Sequence, residues 1–319
     1  MATSTTTAEP PPSPLTSSAP RAQRDTQIAV SIVLPVHNEV GHLQAEIDRI
    51  ISSMQASAYT YEIVVVNDGS TDGSTELLRE IHARGQIELL ELPVNRGCGN
   101  ARRLGTRAAR GEVVVWTDVD MSYPNDEIPA LVDSLKPPFE QVVGARKSEE
   151  GTHAWLRKPA KWAIRRLAVY LVQTPIPDLN SGFRAFYRET ALPYLHMLPR
   201  GFSCVTTITM AFLSYGHAVA YVPIDYKVRA GKSKFHPVKD TYLYILQIIR
   251  MVMTFNPMRV FMPLGGGLVL VAFGKVLYDA LTRNFFISAN AIILTVVSLQ
   301  FLAIGLLADL ICRLAGPRD

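Results

Sequence analysis

Cysteine is scarce in this chain. Cys98, Cys204 and Cys312 are the only three among 319 residues, far apart and with no C-x-x-C pair. That spacing argues against a disulfide framework or a zinc knuckle and makes a reducing compartment the default. A strong excess of one charge is also missing. Lys and Arg number 32 against 28 Asp and Glu, a net charge of +4, too mild to suggest nucleic-acid binding. Charged residues make up only 19% and apolar ones 48%, far too oily for a disordered chain. No apolar run precedes Gln27. Residues 1–27 are rich in Ser, Thr, Pro and Ala and read as a disordered tail, not a signal peptide.

The apolar excess sits at the C-terminus. Between Pro257 and Tyr278 the only charges are Arg259 and Lys275, and Phe285 to Ala308 is 24 residues without a charge. Each run covers about 30 Å or more as a helix, enough to cross a bilayer. Two transmembrane helices are therefore expected within 257–319, at about 257–279 and 285–311. Lys275 would cost about 3 kcal/mol at a span centre, but near an end it can snorkel to the interface. Arg250, Arg259, Arg313 and Arg318 flank the outer ends, while the connecting turn has only Asp279 and Arg283. Positive-inside orientation then predicts a multi-pass protein of the cell (inner) membrane with its large domain in the cytoplasm. Residues 238–256, with Tyr242 to Phe255 apolar almost all round, read as an interfacial helix lying on the membrane.

Residues 28–237 alternate between two patterns. Apolar, β-branched runs at 28–34, 62–66, 87–92, 113–117 and 141–145 read as buried parallel strands. Helical stretches at about 41–55, 74–84, 98–109 and 126–135 separate them. This is the α/β signature with a mainly parallel sheet, whose ligands gather at the carboxyl ends of the strands. Those ends carry Pro35-Val36-His37-Asn38-Glu39, Asn67-Asp68-Gly69-Ser70, Asn95-Arg96-Gly97, Asp118-Val119-Asp120 and Gly144-Ala145-Arg146. Carboxylate-bearing loops crowded on one edge repel unless a cation or a donor-rich ligand lies between them. Common nucleotide motifs fail here. Gly97-Cys98-Gly99-Asn100-Ala101-Arg102 puts Arg where a dinucleotide loop needs its third Gly, and Gly231-Lys232-Ser233 lacks the leading Gly of a P-loop because Tyr226 stands there. Asp118-Val119-Asp120 is the sharpest signal. A D-x-D closing an apolar strand delivers two carboxylates at a rigid edge, able to hold Mg²⁺ or Mn²⁺ against a diphosphate.

Six motifs recur in order: Pro35…Asn38-Glu39, Asp68-Gly69-Ser70, Asn95-Arg96-Gly97, Asp118-Val119-Asp120, Ser181-Gly182-Phe183-Arg184 and Arg229…Gly231-Lys232-Ser233-Lys234. Over roughly residues 28–240 the chain resembles the family 2 glycosyltransferases of the GT-A fold. The subgroup is that of dolichyl-phosphate mannose synthase and the polyprenyl-phosphate hexosyltransferases, several of which share a two-span anchor. By this resemblance Pro35, His37, Glu39 and Asp68 line the base and ribose pocket, with Gly97 beside it. His37 replaces the family's usual Tyr; it can stack on or hydrogen-bond the nucleoside, or be a loop residue. Asp118 orients nucleotide and metal, and Asp120 is the direct metal ligand. Where many synthases have a further Gln ligand, Ser122 stands, so a hydroxyl or a water must serve.

The same resemblance makes Arg146 and Arg157 the holders of the acceptor phosphate, with Ser181 and Arg184 near the phosphates. Arg157 lies in a basic run that equally suits a solvated face near anionic lipid, and Asp178 equally suits a structural salt bridge. Arg229 and Lys234 belong to a loop that closes over the diphosphate in the family, or to a juxtamembrane basic patch. Transferases to hydroxyls keep a carboxylate base near the anomeric carbon, placed by processive members in an E-D pair of the helix after the Gly-Phe corner. Here that helix reads Gly201-Phe202-Ser203-Cys204-Val205-Thr206-Thr207-Ile208-Thr209 and has none. A phosphate, largely dianionic at neutral pH, needs no base. The expected reaction is inverting transfer of a hexose, mannose first and glucose next, from a nucleotide-diphosphate sugar such as GDP-mannose or UDP-glucose to a membrane polyprenyl phosphate. The rivals are a hydroxyl acceptor and a non-catalytic nucleotide-sugar-binding subunit. A homo-oligomer is left open.

Overall fold

In the computed structural model residues 28–147, 162, 165–201, 203–227, 246, 249–250, 253–282 and 287–315 are described. The tail, most of the expected interfacial helix, and Arg157, Arg229 and Lys234 lie outside them.

The five expected strands form where expected, as β1 (Val30–Val36), β2 (Tyr61–Asp68), β3 (Glu88–Leu92), β4 (Val113–Trp116) and β5 (Phe139–Arg146). Between them run α1 (Val40–Gln55), α2 (Ser74–Ala83), α3 (Cys98–Ala108) and α4 (Ile128–Asp133). Two strands are additional: β6 (Arg184–Tyr187) and β7 (Ala218–Ile224), joined by α5 (Cys204–Ser214). The sheet order is β3-β2-β1-β4-β6-β5-β7. Only β6 runs against its neighbours, pairing antiparallel with both β4 and β5.

Branched residues face both ways from β1 and β2, because the sheet is covered on both faces. On one face Leu43, Ile47 and Ile50 of α1, Leu78 and Ile81 of α2, and Ile128 and Leu131 of α4 pack against Ile32, Leu34, Ile63 and Val65. On the other, Ile208 and Phe212 of α5 meet Val33, Trp116 and Phe186. Gly105 lets α3 approach the sheet, since a Cβ there would lie 2.4 Å from Val33 Cγ1.

After the domain come α6 (Met258–Thr282) and α7 (Ala289–Ala315), packed as a hairpin. Both are long and apolar enough to cross a membrane, and only 11% and 22% of their most apolar windows are buried. Helices inside a soluble core would be mostly covered. Gly265 and Gly305 sit at the helix contact, where a Cβ would strike Leu302 and Phe261. Lys275 ends on Asp279 at 2.6 Å within α6, and Asp279 accepts from the Ser288 N–H across the hairpin end. Tyr170 and Arg259 fasten the hairpin to the domain: the Tyr170 hydroxyl donates to the Arg259 carbonyl, and Arg259 Nη1 to the Leu171 carbonyl at 2.6 Å.

Candidate active site

The carboxyl ends of β1, β2, β4 and β5 share one edge of the sheet. Antiparallel β6 begins at that same edge, with Arg184 opposite Trp116 and Val143. Topology thus brings Asp178–Phe183 beside Asp118 and Arg146.

The loops after β1 and β2 are knitted together. Asn38 takes a left-handed backbone (φ 59°), and its Oδ1 accepts from the Thr71 N–H at 2.7 Å. Ser70 and Ser74 hydroxyls accept from the N–H groups of Asn38 and Glu39, and Asp72 Oδ2 from that of Val40. His37 is exposed, and its Nδ1 donates to the Asp68 carbonyl at 2.9 Å, which fixes the ring plane. Pro35 and Glu39 are half-buried at the strand end.

Asp68 is buried, and its two oxygens accept from the backbone N–H groups of Arg96 (2.7 Å) and Gly97 (2.8 Å). It therefore shapes the Asn95-Arg96-Gly97 loop from beneath. Gly97 has φ +93°, and a Cβ there would sit 2.3 Å from the Arg200 carbonyl oxygen. Gly97→Ala is expected to lose about 2 kcal/mol or more of stability, measurable by thermal melting.

Asp118 and Asp120 flank the turn after β4. Asp118 Oδ1 accepts from Arg102 Nη2 at 2.7 Å, and Arg102 is itself buried against the Trp116 ring. Burial disfavours the Arg102 cation, but the charge of Asp118, together with the smaller contributions of Cys204 and Cys98, offsets it and raises its pKa. Asp120 is 6% exposed and accepts from both the N–H and the hydroxyl of Ser122. The hydroxyl expected as a further metal ligand thus rests on Asp120. Met121, between them, has φ 61°, an uncommon backbone for a residue other than glycine. A buried amide supports the turn: Asn125 donates to the Asp118 carbonyl (3.1 Å) and to Glu46 (2.6 Å) and accepts from the Thr117 hydroxyl. Oxygen-only donors at one strand end suit a hard divalent cation, so Asp118 and Asp120 fit Mg²⁺ or Mn²⁺. Among the described residues no group of three or more His, Cys, Asp or Glu side chains converges.

Across the edge, Arg146 makes a bidentate pair with Asp178, Nε at 2.7 Å and Nη2 at 3.0 Å, and lies 5.2 Å from the Tyr226 ring centre. Burial pushes the Asp178 carboxyl up, but hydrogen bonds and charge from Arg146 outweigh it and hold it below the usual range. Its folded pKa is depressed, so the pair's stabilisation is complete above the ordinary carboxylate pKa near 4 and is lost as pH falls through the lower folded value. Melting temperature should therefore drop on acidification below about pH 4 more steeply in the parent than in Asp178→Asn.

Tyr123 joins the two halves. Its hydroxyl accepts from the Gly182 N–H at 2.7 Å, and a Cβ on Gly182 would lie 3.0 Å from Asp118 Oδ2. The Lys227 N–H donates to the Ser122 carbonyl at 3.0 Å, which holds Lys227, two residues before Arg229 in sequence, beside the Asp118–Asp120 turn.

Ser181 and Arg184 require a correction. Ser181 is fully buried, and its hydroxyl accepts from the Phe183 N–H. Arg184 is fully buried too, donating to the Val205 carbonyl and the Thr209 hydroxyl, both at 2.7 Å, and to the Ser181 carbonyl. Burial and the like charge of Arg102 lower its pKa to about 10, so it stays cationic at neutral pH. Antiparallel pairing in mid-sheet turns this side chain onto α5, where it ties β6 to that helix instead of facing a phosphate. Asp178, by contrast, is the salt-bridge partner. Arg102, Tyr123 and Asn125 were not legible as site residues, since each acts through a tertiary contact that no motif marks.

Residues 31–193 match glycosyl transferase family 2, and residues 256–314 match the GtrB C-terminal hairpin. The undecaprenyl-phosphate 4-deoxy-4-formamido-L-arabinose transferases of Aeromonas hydrophila and Edwardsiella ictaluri are 27% and 26% identical, each alignment covering 89% of both chains. In fold, the chain is similar to mannosyl-3-phosphoglycerate synthase from Rubrobacter xylanophilus (TM-score 0.56, 19% identity, 70% of this chain and 72% of that one). It is likewise similar to glucosyl-3-phosphoglycerate synthase from Mycobacterium tuberculosis solved with Mn²⁺, UDP and glucosyl-3-phosphoglycerate (TM-score 0.52, 20% identity, 71% and 79%). The match to the family covers half of the sequence and takes in the loops from His37 to Arg146; this chain belongs to glycosyl transferase family 2.

Proposed function

We propose that the protein transfers a hexose, with inversion, from a nucleotide-diphosphate sugar to a membrane polyprenyl phosphate. The observation that carries this reading is an arginine oriented at the strand edge together with a missing base. Arg146 stands oriented by Asp178 on the edge that holds Asp118 and Asp120, while α5, Cys204–Ser214, contains no carboxylate. A hydroxyl acceptor needs a base; a phosphate dianion does not. The names of the Aeromonas and Edwardsiella relatives, both undecaprenyl-phosphate transferases, support the same acceptor.

His37, Glu39, Pro35 and the loop shaped by Asp68 and Gly97 bind the nucleoside. Asp118 and Asp120 would hold the divalent cation, which when bound neutralises charge on the diphosphate. Arg229 and Lys234 close over that diphosphate, a reading supported by the Lys227–Ser122 hydrogen bond at the root of their segment. Arg146 and Arg157 hold the acceptor phosphate. One of its oxygens attacks the anomeric carbon, and the bond from that carbon to the nucleotide's diphosphate oxygen breaks on the opposite face. Positioning and electrostatic stabilisation carry the catalysis. The hairpin sets the domain on the cytoplasmic face of the membrane, where the lipid phosphate lies. Mannose leads as the sugar and glucose follows; the relatives' modified arabinose adds a third class of donor. Incubating the detergent-purified chain with a C55 polyprenyl phosphate, Mg²⁺ and single nucleotide sugars tests the reading. An acid-labile glycosyl-phospholipid supports it, and transfer to a lipid hydroxyl refutes it.

A further inference from the structure

The buried face of α1 reads Leu43, Glu46, Ile47, Ile50 and Met54. Glu46 breaks an otherwise apolar stripe at a fully covered position. A hydrocarbon of similar volume would avoid the desolvation that a carboxyl meets there. One of its oxygens, Oε2, has no hydrogen-bond partner among the described residues. Packing therefore gives no reason for a carboxyl at this position.

The other oxygen reaches the turn after β4. Glu46 Oε1 accepts from Asn125 Nδ2 at 2.6 Å. The same amide nitrogen donates to the Asp118 carbonyl at 3.1 Å, and Asn125 Oδ1 accepts from the Thr117 hydroxyl at 2.5 Å. Turned over, the amide would set its oxygen against Glu46 and the Asp118 carbonyl, acceptor against acceptor. Glu46 thus helps to hold the amide in one orientation, and Thr117 and Asp118 are the residues from which the metal turn departs. Oε1 can accept this bond whether or not Oε2 carries a proton. Arg49 and Ser53 follow on the same face of α1. Arg49 Nη1 donates to the Tyr123 carbonyl at 3.2 Å and to Glu46 Oε1 at 3.4 Å, and Nη2 pairs with the Asp126 carboxylate. The Ser53 hydroxyl donates to the Asp126 carbonyl at 2.7 Å. One helix therefore grips residues 123–126, and the contact from Glu46 is the one that continues to Asp118.

We propose that Glu46 is a positioning residue for the metal turn: by fixing the Asn125 amide it holds Asp118 and Asp120 in the arrangement that takes a divalent cation, without being a ligand itself. Groups that orient metal ligands from behind set the affinity for the ion although they never touch it. The proposal rests on the assignment of the cation to Asp118 and Asp120. It adds that a helix which begins beside His37 and Glu39 also sets the geometry of the carboxylates across the edge.

Mn²⁺ binding to the full-length chain in detergent, with UDP in one series and GDP in another, tests the proposal without any sugar transfer. The sharp EPR spectrum of free Mn²⁺ is lost on binding, and a cooperative thermal melt shows which variants fold. Glu46→Leu, which removes the acceptor at similar volume, is expected to weaken Mn²⁺ binding about tenfold. Glu46→Gln, whose amide oxygen can still accept from Asn125, should bind nearly as the parent does. Asn125→Ala should lose at least as much as Glu46→Leu, and combining the two should cost nothing further, because Glu46 acts through that amide. Parent-like affinity in Glu46→Leu would overturn the proposal, as would losses that multiply in the double variant. An equal loss in Glu46→Gln would overturn it too, by making charge the cause instead of the hydrogen bond. Should Glu46→Leu not fold, Asn125→Ala tests the same bond from its other end, and parent-like affinity there is the contrary result. Asp120→Asn is the control for the metal assignment. If it holds Mn²⁺ as the parent does, that assignment fails; if it alone loses the ion, the assignment stands and the role of Glu46 falls.

Discussion

Asp120→Asn is expected to reduce turnover by about a thousandfold or more and to remove the response to added Mg²⁺ or Mn²⁺, with melting temperature nearly unchanged. The amide keeps the shape of the carboxylate, and its oxygen can still accept from the Ser122 N–H and hydroxyl that bind Asp120. Charge is what disappears. Asp118→Asn should behave differently. Its partner Arg102 has a side chain only 2% exposed, so losing the carboxylate strands a buried cation. Breaking such a pair costs about 3–5 kcal/mol, so this variant should lose both activity and stability. A double comparison by calorimetry and initial rates separates the two roles. Full activity in Asp120→Asn would refute the metal assignment, and equal stability losses in both variants would refute the division of labour.

Arg146→Lys is expected to lower kcat/KM for the lipid phosphate by about tenfold while leaving KM for the nucleotide sugar unchanged. Lysine keeps the positive charge but not the planar fork that meets Asp178 at 2.7 and 3.0 Å. It would also lose the guanidinium stacking on Tyr226. Asp178→Asn should shift kcat/KM in the same direction by a smaller factor, because the guanidinium remains but is less firmly oriented. Steady-state kinetics with each substrate varied in turn reads both effects. A rise confined to the nucleotide-sugar KM would move Arg146 to the donor side of the site.

The strands β1 to β5 and helices α1 to α4 were legible because each strand is an unbroken apolar, β-branched run and the helices between them alternate with it. The two apolar runs likewise became α6 and α7 nearly where expected. β6 was not legible: four residues, Arg-Ala-Phe-Tyr, carry no period, and the arginine pointed to a ligand instead of a strand. Its reversed direction decides where Arg184 points, and hence why a residue of an expected phosphate motif lies in the core. β7, an edge strand with Pro223 near its end and mostly half-buried residues, lacks the continuous burial that marks the central runs. At the site, the D-x-D turn and the loops that carry His37, Asp68 and Gly97 could be read from motif order. The supports could not. Arg102 reaches Asp118 from the preceding helix, Asn125 links Glu46 to the turn, and Tyr123 holds Gly182, all through tertiary geometry. Asp178 had two readings in sequence, and its bidentate contact with Arg146 is what distinguishes them.

The most direct test of the account is product identification by mass spectrometry. The full-length chain in detergent would be given Mg²⁺, a polyprenyl phosphate, a polyprenol of the same length, and GDP-mannose, UDP-glucose or a nucleotide-linked 4-deoxy-4-formamido-L-arabinose in turn. The account predicts a sugar-phospholipid from one donor, labile to mild acid, and no glycosylated polyprenol. A sugar joined to the free polyprenol, or bound nucleotide with no transfer to either lipid, would contradict it.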